Sequence, residues 1–205
     1  GSLRWDRAKV VRTDLQNAAN NLQKTFEYAT GRLGVVYAPD VSQSFYAQVA
    51  RAADPLTSLI STSATQVPFE LSTGRQVEVG YKRQLADNRG AWTVAAYRIE
   101  KTKLLSRDAT DPTITQQIGK QSSEGIEATL DLALTSTLRL EANVAKLRAR
   151  YDDFNEVVSG RLVSRAGNTP TGVPEEAANL WLNWRFLPQW EADFGVRYVG
   201  PRQVD

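Results

Sequence analysis

Residues 125–154, GIEATLDLALTSTLRLEANVAKLRARYDDF, alternate apolar and polar positions in two runs around a Thr-Ser-Thr break. Ile126, Ala128, Leu130, Leu132 and Leu134 share one parity, with Glu127, Thr129 and Asp131 between them. Leu138, Leu140, Ala142 and Val144 then alternate with Arg139, Glu141 and Asn143. A period of two marks a β-strand whose side chains point alternately to opposite faces, and two such strands around a tight turn predict a hairpin. The pattern recurs elsewhere. Val77, Val79 and Tyr81 oppose Gln76, Glu78 and Lys82; Ala178, Leu180, Leu182, Trp184 and Phe186 oppose Asn179, Trp181, Asn183 and Arg185; Phe194, Val196 and Tyr198 oppose Asp193, Gly195 and Arg197.

Extended along the chain, the alternation predicts strands over roughly 3–14, 25–37, 43–52, 71–85, 91–104, 115–134, 138–150, 175–187 and 190–199. Short turns are expected at 38–43, 85–90, 135–137 and 187–190, and long polar connections at about 15–24, 53–70, 105–114 and 151–174. Pro55, Pro68, Pro112, Pro170 and Pro174 fall in or beside the long connections, where a missing N–H breaks no ladder. One short polar helix is predicted, NAANNLQK at 17–24. Short and long connections take turns, which is what an up-and-down antiparallel sheet produces when every tight turn lies at one end. Membrane barrels show that asymmetry, whereas soluble sandwiches mix hairpins with crossovers.

The question is what covers the apolar parity. A water-soluble sheet packed on a core gives the same alternation. Strand length favours a bilayer, since spanning takes about 9–11 tilted residues, and most segments reach that. Tyr37, Tyr81, Phe186 and Trp190 lie near the short-turn ends, where an interfacial girdle places amphipathic rings.

Composition removes other classes. The 205 residues carry a net charge of only +2, with basic and acidic residues interspersed, so no nucleic-acid footprint is expected. The chain has no cysteine and no histidine. Thiolate sites and Ser-His triads are therefore impossible within it, and the reading is of a protein that is not an enzyme. Glu175-Glu176 would point to opposite faces of a strand, and Asp152-Asp153 reads as solvated loop charge rather than a cation site. No apolar run is long enough for a transmembrane helix, which leaves strands as the only means of crossing. The chain opens on Gly-Ser with no signal peptide and contains no methionine, and is expected to be a piece of something longer.

The segments TGRLGVVYAPDVSQSFYAQVARAADP (30–55), LSTGRQVEVGYK (71–82), AAYRIEKTKLLSRD (95–108), QSSEGIEATLDLAL (121–134) and GNTPTGVPEEAANLWLNWRF (167–186) follow one another as in the barrel of TonB-dependent ferric-siderophore receptors. The resemblance covers nearly the whole chain. It implies an all-β fold, a segment of an antiparallel up-and-down transmembrane β-barrel, with about nine strands of a plugged barrel of about 22. It implies residence in the outer membrane of a Gram-negative bacterium, against outer-membrane lipid. It also implies active import of a ferric siderophore, driven by TonB through an N-terminal region. Against the family pattern, the plug, the TonB box and the first and last barrel strands are missing from the 205 residues. No resident cofactor is implied; the ferric siderophore is the transported ligand. The long connections carrying 59–69, 106–114 and 155–170 would form the capturing mouth. Tyr46, Arg98, Gln117 and Trp181 are expected on the inner parity near it, Arg98 to pair with chelate oxygens and the aromatic rings to stack. Two alternatives stay open: another outer-membrane barrel, such as a porin or a receptor for vitamin B12, heme or sugar, and a soluble β-rich carbohydrate-binding domain.

Overall fold

A computed structural model describes residues 1–53, 70–107 and 115–204. Nine long strands form one sheet: β1 (Ser2–Arg12), β2 (Leu22–Asp40), β3 (Gln43–Ala53), β4 (Thr73–Gln84), β5 (Gly90–Arg107), β6 (Thr115–Ala133), β7 (Leu138–Asp153), β10 (Glu176–Leu187) and β11 (Trp190–Val199). Their order in the sheet is β1-β2-β3-β4-β5-β6-β7-β10-β11, antiparallel throughout, so each strand pairs with its neighbour in sequence. A separate two-stranded hairpin, β8 (Asn155–Val158) and β9 (Arg161–Ser164), interrupts the connection from β7 to β10. All nine predicted strands of the main sheet are present, in the predicted order.

Two local expectations are corrected. The helix predicted over 17–24 is a single 3₁₀ turn, Ala18–Asn20, and β2 begins at Leu22. Polar side chains take the backbone partners a longer helix would need. Asp14 Oδ1 accepts from the N–H groups of Gln16 and Asn17, Asn17 Oδ1 caps Ala19 N–H at 3.0 Å, and Asn21 Oδ1 accepts from Asp14 N–H. The connection at 151–174, read as an irregular loop, holds the β8–β9 hairpin. Its turn places Ser159 (φ 51°) and Gly160 (φ 76°) in the left-handed region that a two-residue hairpin turn requires. Beyond the hairpin, residues 165–168 return along β7: Tyr151 N–H donates to Asn168 O and Gly167 N–H to Tyr151 O. They occupy the β7 edge above Glu176, where β10 takes over.

Register settles which residues share a face, because directly opposed residues point the same way. One row runs Tyr37–Phe45–Tyr81–Val94–Ala128–Val144–Ala178–Tyr198. This outer face is aliphatic in its middle, and toward the short turns it carries rings in contact across four strands. Tyr37–Phe45, Phe45–Tyr81 and Tyr81–Trp92 have centroids 6.5, 4.7 and 5.2 Å apart, and Trp184–Phe186 continues the series at 5.6 Å. The expected girdle is therefore present.

Nothing described covers this face. Val79 is 52% exposed, Val144 52%, Leu180 46% and Val196 68%. Among the described residues the buried apolar side chains are Phe26, Leu71, Ala95, Ala149 and Phe154, and none is completely buried. A soluble domain hides an apolar face under a second layer; this sheet is a single layer with its aliphatic side open. Neighbouring strands pair in long antiparallel registers, shifted at Tyr37/Asp40, Lys120/Gln121 and Trp184/Leu187, and such ladders are how a spanning segment satisfies its backbone in hydrocarbon.

Outer and inner faces should respond oppositely to charge. Ala142→Arg, in the middle of the outer-face run of β7 and in the full-length protein refolded into lipid vesicles, is expected to cost about 2–4 kcal/mol, the range for a cation on the lipid face near mid-bilayer. Asn143→Arg, one residue away on the inner face, is expected to cost far less. Equal costs from urea titration would contradict the assignment of faces.

Candidate functional site

The inner face is a polar wall. Asn179 Nδ2 donates to Asn143 Oδ1 at 2.8 Å, Asn183 Nδ2 to Asp193 Oδ1 at 2.9 Å and Gln76 Nε2 to Glu78 Oε2 at 2.7 Å, and Arg139 pairs with Asp131. These neighbours are two residues apart on a strand, directly opposite across one or, for Arg139 and Asp131, diagonal by two residues, which is how a sheet brings same-face side chains together. Neutral amides, carboxylates and guanidinium groups satisfied by one another make a wettable surface.

Toward the long connections this face becomes a mouth. Phe26 and Leu71 are buried against each other, with Val10 and Tyr28 packed around them and Lys24 Nζ 5.1 Å from the Phe26 ring centroid. Lys103, held at φ 59°, pairs with Glu70. Tyr151 meets Phe154 at 5.0 Å between centroids, and the nearly buried carboxylate of Glu156 receives Arg165 at 2.7 Å. The segment 70–72 and the β8–β9 connection thus lean inward, placing rings and charges over the upper end of the wall.

The four residues expected to meet ligand are dispersed. Gln117 stands on the inner face at the mouth end. Its amide donates to Glu70 O and to Lys103 O, both at 2.8 Å, and so clamps the chain re-entering at 70 onto β5 and β6. Arg98 is corrected in parity. It is the Cα partner of Val77 on β4 and of Glu124 on β6, which puts it on the outer face, paired with Glu100 at 3.2 Å and Glu124 at 3.1 Å. Its flanking Tyr97 and Ile99 are apolar residues on the inner parity, and they make Arg98 look inward in the sequence.

Tyr46 and Trp181 are on the inner face, as expected, but away from the mouth. Tyr46 is three residues from Gln43, which closes the short β2–β3 turn. Trp181 is mid-strand, opposite Glu141 near the short-turn end of β7. Each ring lies over a glycine on the next strand. Tyr46 is the partner of Gly80, where an added Cβ would come within 2.4 Å of the ring, and Trp181 is the partner of Gly195, where it would come within 2.3 Å. The ring packs on bare backbone where a glycine leaves none of its own side chain. Tyr46 Oη also donates to Glu78 Oε1 at 2.8 Å, and Lys82 Nζ lies 5.5 Å from its ring. The residues that sequence reasoning missed at the mouth are Tyr28, Leu71, Tyr151 and Phe154; apart from Leu71, they are large inner-parity or loop aromatics next to long connections, a signal that was available.

The Tyr46–Gly80 contact predicts strong coupling. Tyr46→Ala should destabilise the full-length protein by about 1–2 kcal/mol, and Gly80→Ala alone should cost at least as much through overpacking. Combined, they should cost less than their sum by roughly 0.5–3 kcal/mol. Strict additivity in urea unfolding would contradict the stacking.

Comparisons with known proteins agree with this architecture. A family model described as TonB dependent receptor-like, beta-barrel, matches residues 1–205. The metal-pseudopaline receptor CntO of Pseudomonas aeruginosa is 29% identical over 187 residues, which is 89% of this chain and 25% of that protein. The ferrioxamine receptor of Yersinia enterocolitica is 26% identical over 203 residues, 98% of this chain and 27% of that protein. The crystal structure of the siderophore receptor PiuA from Acinetobacter baumannii superposes with a TM-score of 0.76 at 24% identity, over 96% of this chain and 30% of that one. The chain spans about a quarter of the length of these curated relatives. With a single-layer antiparallel meander, an uncovered aliphatic outer face and a family match along all 205 residues, the chain belongs to the TonB-dependent receptor-like β-barrel family.

Proposed function

We propose that these strands form one arc of the wall of an outer-membrane receptor in a Gram-negative bacterium, which binds a ferric siderophore and imports it with energy delivered by TonB. The observation that carries the reading is the division of faces: an uncovered aliphatic band with an aromatic girdle outside, and a hydrogen-bonded polar wall inside. Further strands of the full-length protein would pair with the free sides of β1 and β11, since open edges are not tolerated in hydrocarbon. The names of the relatives, a ferrioxamine receptor and a metal-pseudopaline receptor, support a chelated metal as cargo.

On this reading Tyr28, Lys103 and Tyr151, on the inner face at the long-connection end, meet the chelate first. The rings offer π faces to flat chelating groups, and the ammonium of Lys103 offers charge to anionic oxygens. Gln117 acts on capture by holding Glu70 and Lys103 in place. Tyr46 and Trp181 stiffen the wall below.

The test uses the full-length protein in its host. Cells lacking its gene should lose uptake of radiolabelled iron from the cognate ferric siderophore, and cells lacking TonB should bind the chelate without accumulating it. The purified receptor should bind the ferric chelate and not the iron-free one. Uptake that survives without TonB, or equal binding of both forms, would contradict the proposal. The pseudopaline relative favours a second reading, a chelate of another transition metal, which the same assay distinguishes by loading the chelator with zinc in place of iron.

A further inference from the structure

Among the described residues one charged side chain is buried, the carboxylate of Glu156 on β8, which is 4% exposed. A carboxylate leaves water only at a cost that its partners have to offset. Arg165, one residue past β9, brings two donors to it. Its Nε and a terminal guanidinium nitrogen both reach Glu156 Oε2 at 2.7 Å. Apolar side chains could hold the same hairpin without that desolvation cost. What the charged pair adds is direction, because charge-assisted hydrogen bonds are oriented and apolar contact is not.

The main chain of Arg165 carries that direction to the rings at the mouth. Its N–H donates to Phe154 O at 2.8 Å, and its C=O accepts from Asn168 N–H at 3.0 Å. Asn168 O accepts from Tyr151 N–H at 2.9 Å, and Gly167 N–H donates to Tyr151 O at 2.8 Å. The Tyr151 and Phe154 rings meet with their planes inclined by 51°. Arg165 is therefore bonded to Glu156 by its side chain, to Phe154 directly and to Tyr151 through Asn168. The β8–β9 hairpin is a two-stranded sheet of its own, outside the nine-stranded ladder. This knot of bonds fixes the rings without contributing to the pairing of the wall.

We propose that Arg165 is a positioning residue for capture, which through Glu156 and Asn168 holds the Tyr151–Phe154 ring pair in the orientation that receives the chelate. The proposal rests on the import reading given above. A flat chelating group gains most from a ring face that is already set, since ordering mobile aromatic side chains at the moment of binding offsets part of the contact. Arg165 itself touches no ligand. Lysine replaces it only in part, because an ammonium is a point charge, whereas the planar guanidinium presents two fixed donors to one oxygen.

The experiment uses the full-length receptor in two ways. Para-fluorophenylalanine in place of Phe154 reports ring placement by fluorine NMR in nanodiscs. Cells fed the ferric chelate purified from iron-starved cultures of the host, loaded with radiolabelled iron, report uptake. In the wild type the fluorine resonance should be displaced by the Tyr151 ring from the position of the free amino acid, and Arg165→Ala should move it back toward that position. Arg165→Ala should also raise the half-saturating concentration for uptake roughly tenfold with the saturated rate unchanged, and Arg165→Lys should fall between it and the wild type. Arg161→Ala, near the hairpin tip, should match the wild type in both readouts. Because Arg165 acts through the rings, Tyr151→Ala/Arg165→Ala should be no weaker than Tyr151→Ala alone. A fluorine signal indifferent to Arg165, or additive losses in the double variant, would overturn the proposal. A saturated rate that falls together with the barrel's unfolding midpoint would overturn it too, as the mark of a merely structural role. Wild-type cells that take up no ferric chelate would contradict the import reading and with it the capture role, while the fluorine signal would still decide whether Arg165 places the rings.

Discussion

Hydrocarbon offers a backbone no hydrogen-bonding partner, and that constraint organises the whole sheet. Each spanning N–H and C=O has to be satisfied by the adjacent strand, so the chain can cross only as a continuous antiparallel ladder. The nine-stranded order follows sequence order because tight turns such as the one closed by Asp40 and Gln43 bring consecutive strands together. In that turn Asp40 accepts from Ser42 N–H, Ser42 Oγ and Gln43 Nε2, which fixes its geometry without any packed core. Once the ladder is set, every side chain is committed to one of two environments by parity alone.

The two environments divide the labour. Outside, the aliphatic band is bounded by aromatic rings toward the short turns and by guanidinium and ammonium groups toward the long connections. These basic groups fall in two adjacent rows of the register, Arg51 and Arg75 with Arg150, and Arg98 with Arg148. Inside, amides and ion pairs keep the wall wet, and large rings appear where glycine leaves backbone bare. At the long-connection end the inner face gathers rings, Phe26 against Leu71 and Tyr151 against Phe154.

Much of this was legible in the sequence because a period of two is a strong signal and the short turns announce themselves. Strand order, the side on which the tight turns lie and the girdle at Tyr37, Tyr81, Phe186 and Trp190 could all be read in advance. Parity failed at Arg98 because Ala95 and Ala96 give no contrast and the next apolar residues, Tyr97 and Ile99, face inward. Height failed at Tyr46 and Trp181 because alternation assigns a face but not a depth along the strand. The hairpin in NEVVSGRLVS was passed over although Ser-Gly between β-branched runs is a turn signal. Its strands are only four residues each. The expected loop segments at 59–69 and most of 106–114 lie outside the described residues.

The central claim is that lipid tails, and no protein layer, contact the Leu- and Val-bearing face. The absence of native cysteine in these 205 residues allows single spin labels here without background from this region. With labels placed one at a time from 140 to 146 in the bilayer-embedded full-length protein, collision with dissolved oxygen should peak at positions 140, 142 and 144. Collision with a water-soluble nickel chelate should peak at 141, 143 and 145. Accessibility without a period of two, or oxygen exposure on the odd positions, would contradict the account.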